Sequence, residues 1–216
     1  MTREIIERLN FRKAVAYREK DPGTTYTFNS QELKIELDEM IIESGIHPYL
    51  HTLFSEPVLD ESGHLTGIVV DNKSGRGIIK AKYFIDATGD GDLAFRLGLE
   101  SYTHELIQPP TTAAHLNEWD YGEFNRLFKL HGDEFDIPEG FLWGANVTGT
   151  DAYMLAGTRV FNVNCAIADD LTKAEMEGRR QVRRIMDMIR KYGNQNIGLV
   201  ALPSHIGIRE TRPIKC

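Results

Sequence analysis

Two glycines and three aspartates lie between Ile85 and Ala94, and this combination could contact a ligand through its backbone. Gly89 and Gly91 allow the chain to turn sharply or to approach a bound molecule closely. The apolar run Tyr83–Ile85 before them predicts a short buried strand, and Leu93–Leu97 after them predicts the first turns of a helix. A strand, a glycine turn and a helix in this order form the geometry in which open α/β sheets hold nucleotides.

The acidic residues of this turn leave two interpretations open. Gly89, Gly91 and Ala94 match the spacing G-x-G-x-x-A, but Asp90 and Asp92 would stand where a pyrophosphate group belongs, and like charges so close together are costly. Their carboxylates suit another task, either capping the helix or accepting hydrogen bonds from the hydroxyl groups of a ribose or ribitol. The turn therefore either faces a ligand in this way or serves only as a structural connection.

A second candidate segment, His205–Arg212, carries two cations near the end of the chain. Gly207 lies inside an apolar run, and Arg209 and Arg212 follow it three residues apart. The segment could therefore bring fixed positive charge and a close backbone to an anionic ligand. The alternative is an edge strand with a surface ion pair to Glu210.

The histidines are weaker candidates. His104 and His115 lie in a loop-rich stretch and could serve in acid–base chemistry, although isolated histidines are more often ordinary surface or core residues. His47 and His51 are four residues apart, but Pro48 between them disfavours a helical pair of metal ligands. No metal site is expected.

Composition excludes several classes of partner. The 216 residues carry a net charge of −7, which argues against a nucleic-acid surface. No apolar run approaches the roughly 18 residues needed to span a membrane, and the charged N-terminus lacks the apolar core of a signal peptide. Only two cysteines occur, Cys165 and Cys216, so a cysteine-ligated iron–sulfur cluster within the chain is not expected. These features predict a cytoplasmic protein without nucleic-acid or membrane partners.

The sequence predicts three long helices in addition to the helix after the glycine turn. A shorter helix is predicted near Gly122–His131. The first runs from Ile5 through Ala16 and ends before Asp21. The second is capped by Asn29 with Glu32 and stopped by Gly45, with an apolar face formed by Leu33, Leu37, Met40 and Ile41. The third begins at a capping box of Thr172 and Glu175 and ends at Gly193, with an apolar face formed by Val182, Ile185, Met186 and Ile189.

The stretch from residue 49 to residue 88 is rich in β-forming residues and turn signals. It predicts an antiparallel meander built from Tyr49–Phe54, Leu65–Val70, Ile78–Ala81 and Tyr83–Ala87. One further strand is expected at Arg159–Ala166. The fold class that follows is α/β or α+β.

Five segments, taken in order, resemble the FAD-dependent oxidoreductases related to the flavin subunit of heterodisulfide reductase. The resemblance covers most of residues 25–212, and its specific parts are the stretches IDATGD and IGIRETR. The five segments are the helix Gln31–Gly45, the meander, Ile85–Asp90, Asp169–Arg179 and Ile206–Arg212.

The resemblance implies redox chemistry at FAD, performed by the cofactor while the protein orients and tunes it. It implies that Thr88, Gly89, Asp90 and Gly91 lie beside the cofactor, and that Arg209 and Arg212 lie near the flavin or the substrate as candidate catalytic residues. The expected division is a remainder of an FAD-binding, Rossmann-like domain with the meander at 1–100 and part of an inserted substrate domain at 101–216. The substrate is an unidentified small molecule, and an electron-transfer partner or further chain segments are possible partners.

The sequence departs from the family pattern at both ends. No strand with G-x-G-x-x-G precedes residue 25, and Pro213 follows Arg212 where the family continues with a basic residue and a glycine-containing strand. We therefore expect an internal fragment of such an enzyme, with weak or absent FAD binding and no catalysis by the chain alone. The alternative is a non-catalytic remnant that binds a nucleotide or a partner through the Gly89 turn.

Overall fold

The computed structural model describes residues 1–20, 23–102 and 107–215, which form two compact units. The first unit comprises Met1–Ile46 and Pro109–Ile208, and the second comprises His47–Gln108 and Arg209–Cys216. Both units are assembled from separated stretches, so neither coincides with the division expected near residue 100. The assignment of 1–100 to FAD binding and of 101–216 to substrate binding stays a prediction.

Fifteen elements occur along the described residues. In chain order they are α1 (Thr2–Phe11), β1 (Val15–Lys20), β2 (Gly23–Phe28), α2 (Ser30–Glu43), β3 (Leu53–Leu59), β4 (Leu65–Asn72), β5 (Gly75–Lys80), α3 (Asp92–Arg96), β6 (Ala114–Leu116), α4 (Tyr121–His131), a 3₁₀ turn (Asp133–Phe135), β7 (Trp143–Asn146), β8 (Tyr153–Ala156), α5 (Ala168–Tyr192) and β9 (Leu199–Ala201). None of these helices combines the length and the apolar character needed to cross a membrane.

All strand pairs in the described residues are antiparallel. The first unit contains the hairpin β1–β2 and a four-stranded sheet in the order β7-β8-β6-β9, and the second unit contains the meander β3-β4-β5. The predicted antiparallel meander is confirmed for the strands at Leu65–Val70 and Ile78–Ala81. Its first strand was expected at Tyr49–Phe54 but runs from Leu53 to Leu59, where it pairs with β4. The mixture of helices and sheets agrees with the predicted fold class.

The core of the first unit lies between the four-stranded sheet and the helices α4 and α5. The predicted apolar face of α5 is confirmed, because Val182, Ile185, Met186 and Ile189 are at most 2% exposed. Leu116 of β6 and Leu155 of β8 are equally buried against this face. Burial of one apolar face at helical spacing is the principal driving force for this packing.

The first and third predicted helices begin or end elsewhere than expected. α1 ends at Phe11, and Val15–Lys20 forms a strand because it finds a complete antiparallel partner in β2. α5 begins one turn before Thr172, so Thr172 does not cap it and instead donates a hydrogen bond from its hydroxyl to the Ala168 carbonyl. For α1, strand pairing with β2 thus outweighs the local helical signal.

α2 is confirmed, although its burial differs from the apolar pattern. Asn29 caps it by accepting a hydrogen bond from the Gln31 amide, and Leu37 of the predicted apolar face is 39% exposed. The buried residue is Glu36, only 2% exposed, whose carboxylate lies 2.7 Å from the Nε atom of Arg12. An ion pair therefore holds α2 against the end of α1.

Two predicted strands are wrong. Tyr83–Ala87 and Arg159–Ala166 run without strand pairing, and Tyr83 and Ile85 are 88% and 90% exposed instead of buried. A strand needs a neighbour to satisfy its backbone amides and carbonyls, and these two runs find none among the described residues. Apolar composition alone therefore overstated the number of strands.

The close approach of α5 to Thr112 provides a test of the core. A Cβ atom at Gly178 would lie 2.0 Å from the Thr112 hydroxyl oxygen, so Gly178→Ala should lower the free energy of unfolding by about 1–3 kcal/mol through overpacking. Gly122→Ala in α4 is the matched control, because its nearest neighbour lies 3.6 Å away. Thermal unfolding followed by circular dichroism should show a lower Tm for Gly178→Ala alone, and an unchanged Tm would contradict this packing.

Candidate functional site

The glycine turn of the second unit is organised by the carboxylate of Asp86. One carboxylate oxygen accepts hydrogen bonds from the Thr88 hydroxyl at 2.7 Å and from the Thr88 amide at 3.2 Å. The other oxygen accepts from the Ala94 amide in the first turn of α3 at 3.0 Å. The Thr88 hydroxyl oxygen in turn accepts from the Asp92 amide at 2.9 Å. Asp86 thus caps α3 from a position six residues before it begins.

The electrostatics of Asp86 follow from these contacts. Burial raises the pKa of the Asp86 carboxyl group, but hydrogen bonds from Ala94, Thr88 and the Leu93 amide lower it by more, so its pKa lies below the ordinary value of 3.8. The ionised carboxylate already accepts hydrogen bonds from the backbone amides at the start of α3. Those amides are consequently engaged within the chain and do not form a phosphate cradle.

The C-terminal segment packs directly beside this turn. Thr211, only 5% exposed, donates a hydrogen bond from its hydroxyl to Asp90 at 2.7 Å, and Arg212 pairs with Asp92 at 2.5 Å. The Arg212 guanidinium also lies over the Phe95 ring, 4.4 Å from its centroid. Asp90 within the turn and Asp92 just after it are therefore held to residues about 120 positions later in the sequence.

These contacts give Asp90 and Asp92 separate partners within the chain. Arg212 neutralises Asp92, while one carboxylate oxygen of Asp90 accepts a hydrogen bond from the Thr211 hydroxyl and the other has no partner among the described residues. The Nε atom of Arg212 is buried and has no hydrogen-bond partner among the described residues. An unpaired buried donor of a charged group is unusual, because it forfeits its hydration without compensation.

The turn also presents free backbone donors. The amides of Gly89, Asp90 and Gly91 make no hydrogen bond within the ranges that the structure describes. Gly89 has a φ of +84° and open space where a Cβ atom would be, whereas the corresponding position at Gly91 lies 3.3 Å from the Ile214 side chain. Successive free amides in a turn with left-handed residues form a concave site for an anion or an oxygen-rich group.

The structure places most of the predicted site residues close together. Thr88, Gly89, Asp90 and Gly91 lie together with Arg212, through the contacts of Thr211 and Asp92 described above. Arg209 is exposed and makes no hydrogen bond or ion pair with the described residues. His104 lies outside the described residues, and His115 belongs to β6 of the first unit.

Three residues of the arrangement were not singled out from the sequence. Asp86 carried a local signal, since an aspartate followed two residues later by threonine is typical of a side-chain-stabilised turn. Thr211 and Phe95 carried no such signal, because their partners are distant in sequence. The edge strand weighed as the alternative for His205–Arg212 is absent, with only an isolated bridge between Gly207 and Thr111.

Comparison with known proteins identifies related sequences and folds. The family model for FAD dependent oxidoreductases matches residues 1–216. The crystal structure of p-nitrophenol 4-monooxygenase PnpA from Pseudomonas putida DLL-E4 is similar, with a TM-score of 0.52 and 10% sequence identity over 91% of this chain and 52% of that chain. The chain thus spans about half the length of that enzyme, and at this identity the likeness shows the fold alone. No curated protein matches the chain.

The contacts of Asp86 predict a pH-dependent contribution to stability. Because its folded pKa lies below the ordinary value, its ionised form stabilises the folded state above the unfolded pKa, and this contribution is lost as the pH falls through the folded pKa. Asp86→Asn should therefore lower the free energy of unfolding by about 1–3 kcal/mol at neutral pH. The difference from the wild type should shrink below about pH 3.8.

Thermal unfolding at neutral pH and at about pH 3 measures this difference. Asp38→Asn is the control, because Asp38 is exposed on α2 and makes no hydrogen bond or ion pair with described residues. A destabilisation by Asp86→Asn that persists undiminished at low pH would show that the charge of Asp86 is not what stabilises the turn.

Proposed function

Because the chain belongs to the family of FAD-dependent oxidoreductases, we propose that it is part of an enzyme that transfers electrons between FAD and a small-molecule substrate. The second unit supplies one wall of the FAD site in this proposal. The observation that carries it is the set of unpartnered backbone amides at the Gly89 turn, beside Arg212. FAD when bound supplies the electron-accepting and electron-donating chemistry.

The donors and acceptors of the turn fit the polar part of FAD. The free amides of Gly89, Asp90 and Gly91 suit phosphate or hydroxyl oxygens, and the open side of Gly89 allows a close approach. The second carboxylate oxygen of Asp90 suits a ribose or ribitol hydroxyl. The guanidinium of Arg212, paired with Asp92, adds a permanent positive charge beside these groups.

The residues of the site then divide into three roles. Thr88 and Asp86 shape the turn, and Gly89, Asp90 and Gly91 bind the cofactor. Arg212 orients the C-terminal segment through Asp92 and places a permanent positive charge beside the turn. Arg209 is the exposed cation available to a substrate or to the flavin end of the cofactor. The roles of Arg209 and Arg212 in catalysis are part of the proposal.

Two finer statements belong to the same proposal. The order of the IDATGD and IGIRETR stretches supports a closer relation to the flavin subunit of heterodisulfide reductase. The coverage of about half of the monooxygenase supports the view that the complete site includes residues outside the present chain. An electron-transfer partner would then meet the assembled enzyme.

A second candidate is a non-catalytic module that binds a nucleotide or a partner through the Gly89 turn. It is favoured by one observation, which is that Asp86 and Thr88 already occupy the amides of α3 that would bind a pyrophosphate. Calorimetric titration with FAD, NAD and ADP distinguishes the two. Binding of ADP as tight as that of FAD, without flavin reduction, would favour the module.

The proposal predicts flavin uptake. The 216-residue chain and a version joined to any coding sequence adjoining it are purified, incubated with FAD and desalted. Absorbance near about 450 nm then reports bound flavin. We expect a yellow protein from the longer version and weaker uptake by the chain alone, because one wall of the site holds fewer groups of the cofactor. A longer version that stays colourless and takes up no FAD would overturn the proposal.

A matched pair of glycine variants predicts where the cofactor lies. Gly89 and Gly63 have φ values of +84° and +83° and open space where an alanine methyl group would stand, so alanine at either position should cost about 1–2 kcal/mol of backbone strain. Only Gly89→Ala places that methyl group against the proposed ligand. It should weaken FAD binding by about tenfold or more, while Gly63→Ala binds normally.

FAD titrations on the form of the protein that takes up flavin, together with the Tm of each variant, provide the measurement. Equal Tm values with a selective loss of FAD affinity in Gly89→Ala would support the assignment. Normal FAD binding by Gly89→Ala would exclude this turn from the cofactor site.

A further inference from the structure

The four-stranded sheet of the first unit has one face that α4 and α5 do not cover. Ala114 and Leu116 of β6 are buried against α4 and α5, and side chains alternate along a strand, so His115 lies on the opposite face. His115 is paired with Met154 on β8 and with Ala201 on β9, which share that face. Two cavities adjoin each other there.

The first cavity is lined largely by aromatic and apolar side chains. It has a volume of about 340 Å³, and its walls include Tyr26 and Phe28 from β2, Trp143 from β7 and Met154 from β8. No Asp, Glu, Lys or Arg side chain lines it within the described residues. Flat aromatic walls with a thioether are suited to an aromatic ring, which packs against them by stacking and edge contacts.

The second cavity has a volume of about 450 Å³ and a different character. Ser30, Gln31 and Lys34 of α2 line one side, and Pro203 and Ser204 line another. Lys34 is the only charged residue among the described residues that line either cavity. Its ammonium group donates a hydrogen bond to the Gln31 side-chain oxygen at 3.3 Å and pairs with no carboxylate in the described chain. The positive charge is therefore available to an anionic ligand.

His115 and Ser30 line both cavities and stand where the two meet. The imidazole of His115 makes no hydrogen bond with the described residues, so both ring nitrogens can bond to a ligand. An aromatic compartment, an adjoining compartment with a single cation and polar groups between them match the usual composition of a small-molecule site.

We propose that these two cavities form one binding site for an aromatic carboxylate. The ring lies in the aromatic cavity, and the carboxylate lies in the second cavity with Lys34, where Ser30 and His115 donate further hydrogen bonds. This assignment deepens the proposed function and rests on it only for the ligand's role as a substrate. Binding itself requires no flavin.

Three probe compounds separate the contributions of charge and ring. Benzoate carries both features, benzamide keeps the ring without the charge, and cyclohexanecarboxylate keeps the charge without the aromatic ring. In calorimetric titrations of the 216-residue chain, benzoate should bind at least about tenfold more tightly than either of the others. Equal affinity for all three compounds, or no benzoate binding up to about 10 mM, would overturn the proposal.

A pair of lysine variants tests the site itself. Lys34→Met keeps the length of the side chain but removes the charge, and it should lower benzoate affinity by about tenfold while benzamide affinity stays unchanged. Lys129→Met, on the exposed side of α4 and away from both cavities, is the control and should bind benzoate normally. Unchanged benzoate affinity in Lys34→Met would overturn the assignment.

The same samples separate this proposal from that of flavin binding. Benzoate titrations are performed without FAD, and FAD titrations are performed without benzoate. Failure of FAD uptake together with selective benzoate binding would overturn the proposed function alone. The reverse result would overturn the aromatic-acid site alone.

Discussion

The charge of Asp86 is the constraint on which the rest of the candidate site depends. A partly buried carboxylate must collect hydrogen-bond donors, and Asp86 takes them from Thr88 and from the first turn of α3. This choice removes the helix amides from ligand binding and leaves the amides of Gly89, Asp90 and Gly91 free. The sequence motif that suggests a phosphate cradle is therefore a turn that caps its own helix. Its free backbone donors lie in the residues just before α3 and not in the first turn of α3.

The neighbouring aspartates show how like charges are tolerated at close quarters. Asp92 pairs with Arg212, and Asp90 accepts a hydrogen bond from the buried hydroxyl of Thr211, so each acid has its own partner. Both partners belong to the C-terminal segment, which also pairs with the backbone at Ser101 and Glu100. The two motifs with the most specific family resemblance thus form one structural arrangement. The stability effects of substitutions in the two motifs should therefore be coupled and not additive.

The two faces of the four-stranded sheet in the first unit have different surroundings. One face carries Ala114, Leu116 and Leu155 into the core formed with α4 and α5. The other face carries His115, beside the two cavities. Strict alternation along each strand makes this separation possible, because a single residue such as His115 can face a cavity while both of its neighbours are buried in the core.

Patterns with purely local causes could be predicted from the sequence. The apolar face of α5, the helix α4, the Asn29 cap of α2 and the second and third strands of the meander depend on spacing and turn residues within a few positions. The sequence also determined the glycine turn and the family resemblance. Tertiary structure decided that Tyr83–Ala87 and Arg159–Ala166 did not become strands, because neither run finds a pairing strand among the described residues, whereas Val15–Lys20 pairs with the neighbouring strand β2. It also decided the partners of Asp90 and Asp92, because these contacts join side chains that lie about 120 positions apart in the chain.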